Sequence, residues 1–443
     1  MLSGRIMSCP KYLPVQKNMF NPALVNRFQS IETPFYYYDL QQLKATLKAC
    51  SDAAFKHHFQ VHYAMKANFN PRVLDTVRSF GFGADCVSGN EVKAAVDHGF
   101  KREKTVFAGV GKSDKEINLA LDQDIFCFNA ESVQELQIIN DLASAKNKTA
   151  NIAIRINPNV DAHTHHFITT GLEENKFGIN TWELPAVVEK LHQCKNLQFL
   201  GIHFHVGSQI NDLSVFRNLC LKVNEMQLWF QEEGFTVKIL NVGGGLGVDY
   251  YQPDANNIPD FAGYFQVFKD FLQVNEAQEV HFELGRALVA QCASLISRVL
   301  YVKNGIKKNF LILDAGMTEL MRPMLYQAYH EIENLSGASV ISGQQSAISH
   351  EQSAMNHEPS TISYPLSATS HEPSTTNHEP SAPHTYDVVG PICESTDCFR
   401  TDVELPESKR GDLIAIRTAG AYGEVMASGY NLRDRVQAVY SEE

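Results

Sequence analysis

The chain has 443 residues, 44% of them hydrophobic and 20% charged, which is enough for more than one sizeable core. A formal net charge of −12 argues against nucleic acid or anionic membrane as a partner, and no apolar run approaches the ~20 residues of a membrane span. Nine cysteines stand without a CxxC pair, and residues 1–16 hold neither an apolar core nor a cleavage pattern, so the expectation is a cytoplasmic protein with reduced thiols and no signal peptide.

Pro34–Leu40 reads as a strand. From about residue 60 to 290, short β-rich runs alternate with longer helical stretches. The predicted strands are Val61–Ala67, Gly83–Val87, Thr105–Ala108, Ile125–Asn129, Ile152–Asn157, Leu200–Val206, Ile239–Val242 and Val280–Leu284. Between them, stretches such as Pro71–Ser79 and Ser88–His98 place apolar residues at helical spacing. Strand–helix alternation predicts a parallel sheet, and eight units in this length point to an α/β fold, a (β/α)₈ barrel over 41–290. A doubly wound open sheet is the competitor that counting leaves open. After residue 290, Ala293–Val302, Asn309–Asp314, Asp387–Pro391 and Asp412–Ala419 look like strands without regular helices between them. They predict a second, mainly β domain built from 291–443 together with 1–40.

A segment within 336–385 stands apart. From Gly343 to His384 the chain repeats every seven residues, with serine recurring at Ser346, Ser353, Ser360, Ser367, Ser374 and Ser381. The heptads lack paired apolar positions and contain prolines, which argues against a coiled coil. Low apolar content with Pro, Ser and Thr predicts a disordered insertion. Its histidines offer metal ligands, but copying of a His-Glu-Pro-Ser unit accounts for them, and no metal is expected.

Polar motifs gather at the predicted strand ends, the rim where barrel enzymes build active sites. Lys66 closes the first strand in Tyr-Ala-Met-Lys-Ala-Asn. Asp85 follows the second and Arg155 the fifth. His205 and Ser208 run out of the sixth in His-Val-Gly-Ser. Gly243, Gly244 and Gly245 end the seventh, and Glu283-Leu284-Gly285-Arg286 ends the eighth. Alone, a strand-end lysine is a solvated charge and a glycine run is a tight turn. Together, glycine backbone, a hydroxyl and a guanidinium make an anion cradle. An amine that can bond an aldehyde and a carboxylate that can keep a pyridine nitrogen protonated complete the requirements of pyridoxal 5′-phosphate.

On these motifs the chain resembles the fold-type III pyridoxal-phosphate decarboxylases, the alanine-racemase-like barrel family whose members act on ornithine, arginine or diaminopimelate. The resemblance covers nearly the whole chain except the heptads. It implies that Lys66 is the Schiff-base lysine, that His205 stacks on the cofactor ring and that Glu283 pairs with the ring nitrogen. It also implies that Ser208, Gly243, Gly244, Gly245, Gly285 and Arg286 hold the phosphate region, with Asp85, Arg155 and Tyr422 in support. Cys393 in Gly-Pro-Ile-Cys-Glu-Ser would reach the partner's active site in a homodimer and return a proton to carbon, and Glu394 would bind a distal amino group. Arg322 and Tyr326 resemble the pair that grips a distal carboxylate, with Arg286 and Tyr422 also at the substrate. Those residues favour meso-diaminopimelate as the amino-acid substrate over ornithine or arginine. Carboxynorspermidine, also carboxylated, remains an alternative, and so does an inactive regulatory homologue. One departure is Asp434, where the family has proline after the residue matching Arg433.

Overall fold

The computed structural model describes residues 19–159, 176–336 and 384–442. The predicted heptad insertion therefore lies outside the described residues, apart from its ends. The first strand, β1 (Phe35–Tyr38), leads into a helix, Leu40–Phe55, whose start is capped by the Asp39 carboxylate accepting from the Gln41 and Gln42 amides. Eight parallel strands then close a barrel in sequence order: β2 (Gln60–Ala64), β3 (Gly83–Cys86), β4 (Thr105–Phe107), β5 (Cys127–Ala130), β6 (Ala150–Arg155), β7 (Leu197–His203), β8 (Ile239–Asn241) and β9 (Glu279–Leu284). β9 pairs back onto β2, with Val61 opposite Phe282. Closure decides between the two sheet readings: the barrel forms and the open sheet does not.

Helices form where periodicity and caps agree. Pro71–Ser79 is capped by Asn70, and Gly89–Asp97 by Ser88, whose hydroxyl accepts from the Glu91 amide. Six of the eight barrel strands end earlier than the sequence implied. Val61–Ala67 was one predicted strand, yet β2 stops at Ala64 and Met65–Ala67 is a 3₁₀ turn. Lys66 thus sits on a turn just above the barrel, whereas Asp85, Arg155 and Glu283 stand on β3, β6 and β9 in its wall.

The second layer is an antiparallel-rich sheet of β10 (Ala293–Asn304), β11 (Asn309–Leu313), β12 (Ile332–Asn334), β13 (His384–Val389), β14 (Cys398–Leu405), β15 (Leu413–Ile416) and β16 (Gln437–Tyr440). Its order is β12-β15-β10-β11-β13-β14, and β1 joins it between β10 and β16. The N-terminal strand therefore belongs to the β layer, as its position in sequence suggested. No helix among the described residues is long and apolar enough to cross a membrane.

The barrel interior changes character along its axis. Val106, Cys127, Ala153, Leu200 and Ile239 form an apolar cluster of their own. Two residues beyond Cys127 and Ile239, Asn129 and Asn241 face the same interior, since alternate residues share a face. On the β2–β9 side, His62 Nδ1 donates to the Lys104 carbonyl at 3.0 Å and its Nε2 meets His281 Nδ1 at 2.8 Å. A carbonyl only accepts, so neutral His62 carries its proton on Nδ1. Burial, then the neighbouring His281, pushes its pKa down to about 3.

An unfolded histidine takes up its proton near pH 6.5. Between there and about 3 the unfolded chain binds more protons than the folded one, so stability falls as pH falls through that window. Denaturant titrations across it should show this loss, and His62→Gln should flatten the slope by up to about 1.4 kcal/mol per pH unit.

Candidate active site

Above the C-terminal ends of the barrel strands lies a cavity of about 870 Å³, within the roughly 300–1,000 Å³ usual for small-molecule sites. Its lining includes Lys66, Arg155, Arg286 and Arg322 against Asp85 and Glu283. In a chain of net charge −12, this cavity has an excess of cations and suits an anionic ligand.

Lys66 rides on the 3₁₀ turn after β2, and the turn is pinned from both sides. Tyr63 donates its hydroxyl to the Asn68 carbonyl at 2.7 Å, and Asn68 Nδ2 donates to the Tyr38 hydroxyl and the Gly420 carbonyl. The Tyr422 amide donates to the Ala67 carbonyl at 2.8 Å, which seats the Tyr422 loop of the β layer beside the lysine. Tyr422 holds a φ of 57°, a left-handed conformation rare outside glycine. Lys66 is exposed and lines the cavity. Burial disfavours its charged form, but Asp85, Tyr422 and Glu283 outweigh burial and raise its pKa.

Glu283 sits at the centre of the polar layer. One carboxylate oxygen accepts from Asn129 Nδ2 at 2.9 Å and Asn241 Nδ2 at 2.7 Å, and the other lies 2.9 Å from His203 Nε2. Burial alone would push its carboxyl up, but His203 and these hydrogen bonds hold its pKa below the ordinary range. Asp85 goes the other way. Burial and then the Glu283 charge raise its pKa well above normal, and its Oδ1 is buried without a hydrogen bond. Arg155 is paired with buried Glu131 at 2.8 Å, and its guanidinium lies 4.8 Å from the Phe177 ring centroid. His205 Nδ1 accepts from the Gly244 amide at 3.3 Å, so its proton is on Nε2, and burial with Lys66 nearby drives its pKa well down.

At one end of the cavity, Arg286 donates from Nε and Nη2 to Ser208 Oγ at 3.2 and 3.1 Å and lies 5.0 Å from the Tyr422 ring centroid. Ser208, Gly245, Gly285 and Tyr422 share this lining. The glycine run needs one correction. The Gly243 amide donates to Asn241 Oδ1 and the Gly244 amide to His205, so of the three only Gly245 faces the cavity. Gly243 and Gly244 are small for steric reasons: an added Cβ would stand 2.3 Å from the Phe204 carbonyl oxygen and 2.0 Å from that of Glu283. They hold backbone to backbone and do not present donors.

Further along the cavity, Arg322 and Tyr326 bracket a short helix that ends at Gln327, whose φ is 53°. Cys393 and Glu394 lie outside the cavity, exposed on the loop between β13 and β14, where Glu394 accepts from the Tyr430 hydroxyl at 2.7 Å.

Residues 40–290 match the family model for the pyridoxal-dependent decarboxylase, pyridoxal binding domain. The chain is 50% identical to diaminopimelate decarboxylase of Bacteroides thetaiotaomicron, across 95% of this chain and 98% of that one. It is 36% identical to the Aquifex aeolicus diaminopimelate decarboxylase, across 94% and 88%. The chain belongs to the diaminopimelate decarboxylase family. The crystal structure of the Helicobacter pylori family member complexed with L-lysine superposes with a TM-score of 0.79 at 35% identity, covering 94% of this chain and 93% of that one.

Within this family fold, sequence reasoning missed the residues that support the motifs. Asn129, His203 and Asn241 surround Glu283, and Tyr250 and His330 surround Arg322. His203 was within reach, because it lies two residues before His205 on a strand whose alternate positions face inward. Nothing local marks Tyr250 or His330.

Gly244→Ala forces the Glu283 backbone to move. It should cost about 1–3 kcal/mol, read from the denaturation midpoint, and should lower decarboxylase turnover by more than the lost folded fraction explains.

Proposed function

We propose that this chain decarboxylates meso-2,6-diaminopimelate to L-lysine and CO₂, the last step of lysine biosynthesis, using pyridoxal 5′-phosphate in a cytoplasmic homodimer with shared active sites. We assign the cofactor-binding unit to 41–290 and the β unit to 1–40 and 291–443, with 336–385 as an insertion. The observation that carries this reading is one cavity that holds an amine, Lys66, a carboxylate kept ionised, Glu283, and two guanidiniums, Arg286 and Arg322.

The residues present fit the cofactor. Arg286, Ser208 and Gly245 form an anion cradle at one end, Asp85 Oδ1 is a buried acceptor without a partner, and Glu283 keeps acceptor capacity on the oxygen facing His203. Pyridoxal phosphate, once bound, supplies the sink for the electron pair left as CO₂ departs. Glu283 would hold the proton on the ring nitrogen, with Asn129, Asn241 and His203 fixing its position. Arg155, on its Glu131 anchor, and Asp85 would border the ring. His205 would lie along the ring face, fixed as the Nε2–H tautomer by the Gly244 amide. Lys66, on its pinned turn, is the amine that would hold the cofactor and exchange places with the substrate amine.

Arg322 and Tyr326 would take the distal carboxylate, a task suited to a planar guanidinium. Exposed Cys393 is free to cross to another subunit, where Cys393 of the partner subunit would protonate the carbon that has lost CO₂ and Glu394 of the partner subunit would receive the distal ammonium. A substrate with a cationic tail and no distal carboxylate leaves Arg322 without its anion, which disfavours ornithine and arginine.

Purified protein with pyridoxal phosphate should form L-lysine from meso-diaminopimelate and should leave ornithine, arginine and carboxynorspermidine largely untouched. Turnover of one of those three in preference would overturn the substrate assignment. Lys66→Ala should abolish turnover. Mixing Lys66→Ala with Cys393→Ala subunits should restore activity toward about a quarter of normal, because half the dimers are hybrids with one intact site each. No recovery after verified subunit exchange would overturn the shared site.

A further inference from the structure

We propose that Tyr250 is a specificity-determining residue for the distal carboxylate: its oxygen fixes Arg322 beside Arg286, and its hydroxyl is a further donor to that carboxylate. The inference rests on the reading of the site as one for a substrate with two carboxylates. It concerns a residue in the loop after β8 that none of the sequence motifs marked.

Tyr250 is buried at 6% exposure and lines the cavity between Arg286 and Arg322. Its oxygen accepts from Arg286 Nη1 at 2.7 Å and from Arg322 Nη1 at 2.9 Å. The two guanidinium carbons stand 6.0 and 5.3 Å from its ring centroid. A phenol oxygen has two lone pairs and one proton. Both lone pairs are engaged, so only the O–H remains, and no group among the described residues accepts it. Burial works against its ionisation, yet the two arginines outweigh burial and lower its pKa, which makes the hydroxyl a stronger donor.

His330 settles which nitrogen of Arg322 is left over. His330 Nδ1 lies 2.8 Å from the Arg417 carbonyl, so its proton is there and Nε2 is a bare acceptor, receiving Arg322 Nη1 at 3.1 Å. Burial and Arg322 hold the His330 pKa down to about 3, so this acceptor persists at neutral pH. Both Nη1 protons of Arg322 are thereby used. Its Nε is buried without a partner, and the side chain is 94% withdrawn from solvent. Nη2 has no partner among the described residues and is not enclosed as Nε is, so it is the nitrogen left to donate to a carboxylate oxygen. Tyr326 lies four residues on, over the same helical face. A carboxylate oxygen accepting from Nη2 on the side toward Nη1 would come within reach of the Tyr250 hydroxyl and supply the acceptor that the hydroxyl lacks.

Decarboxylation leaves the distal carboxylate in place, so both substrate and product L-lysine carry the group that Tyr250 would bind, whereas cadaverine carries none. The test is Tyr250→Phe in the cofactor-loaded enzyme. The KM for meso-diaminopimelate and the inhibition constant for L-lysine should each rise about tenfold or more, the worth of a hydrogen bond to a charged group, with kcat within about threefold of normal. Inhibition by cadaverine and cofactor absorbance per subunit should not change. A purely structural role would move all of these together or none.

If KM and L-lysine inhibition stay within about twofold of the unaltered enzyme, the inference is wrong. If cofactor occupancy falls while KM holds, Tyr250 serves the phosphate end through Arg286 and the inference is equally wrong. Should the phenylalanine variant not fold, Tyr250→Met, which fills similar space without a hydroxyl, carries the same expectations. An unaltered enzyme inert toward meso-diaminopimelate would instead overturn the proposed function, a result distinct from an active enzyme whose variant matches it.

Discussion

The site depends on keeping one buried carboxylate charged. Two acids face the same enclosed space, and the barrel treats them oppositely. Glu283 receives donors from three different strands, Asn129 on β5, Asn241 on β8 and His203 on β7, and stays ionised. Asp85 has an unbonded oxygen and a like charge nearby, and its pKa rises. Two carboxylates in one low-dielectric space ionise separately, and the hydrogen bonds choose which goes first. Only a closed barrel brings inward side chains of non-neighbouring strands to one point, which is why this electrostatic choice is a property of the fold and not of any motif.

The cavity is also a property of the join between layers. The barrel supplies Lys66, Glu283 and Arg286, and the β layer supplies Arg322, Tyr326 and Tyr422. Bonds across the join position both sets. The Tyr422 amide holds the Ala67 carbonyl, and Asn68 Nδ2 donates to the Gly420 carbonyl. Arg417 of the β layer is fully buried and reaches Asp254 in a barrel loop while pairing with Glu333 on β12. Removing one member of such a pairing leaves charge without its counterpart, so the contact resists separation of the layers even where it adds little net stability. β1 strengthens the join, because it lies in the β-layer sheet yet leads directly into the first barrel helix.

What the sequence made legible follows from where information is local. The barrel strands were visible as short apolar runs, and the candidate site was visible because polar residues sit at strand ends beside glycine. In the β layer, the strands recognised in advance, β1, β10, β11, β13 and β15, each have neighbours on both sides. The three that were missed, β12, β14 and β16, are the three edges of that sheet. Edge strands are short or polar on their open side, as Cys398–Leu405 with its exposed charged positions is, and so they lack the apolar pattern that marks a strand. The glycine run was read as an anion-binding backbone, but two of its amides turn inward to Asn241 and His205. Composition announces that a backbone must come close to something. It does not say whether that something is a ligand or the next strand.

Selection of substrate in such a cavity is as much rejection as attraction. Arg286 and Arg322 are held on one phenol oxygen, so two like charges share a buried neighbourhood in which no acid among the described residues pairs with either. Neutral His330 tolerates this concentration of charge because its tautomer offers a lone pair, and the Arg417 carbonyl enforces that tautomer. An amino acid with a cationic tail would bring a third positive charge into this space and lose its own hydration on entering. A carboxylated tail relieves the repulsion that the arrangement stores. The discrimination therefore comes from a site left electrostatically incomplete, and the group that completes it is an anion.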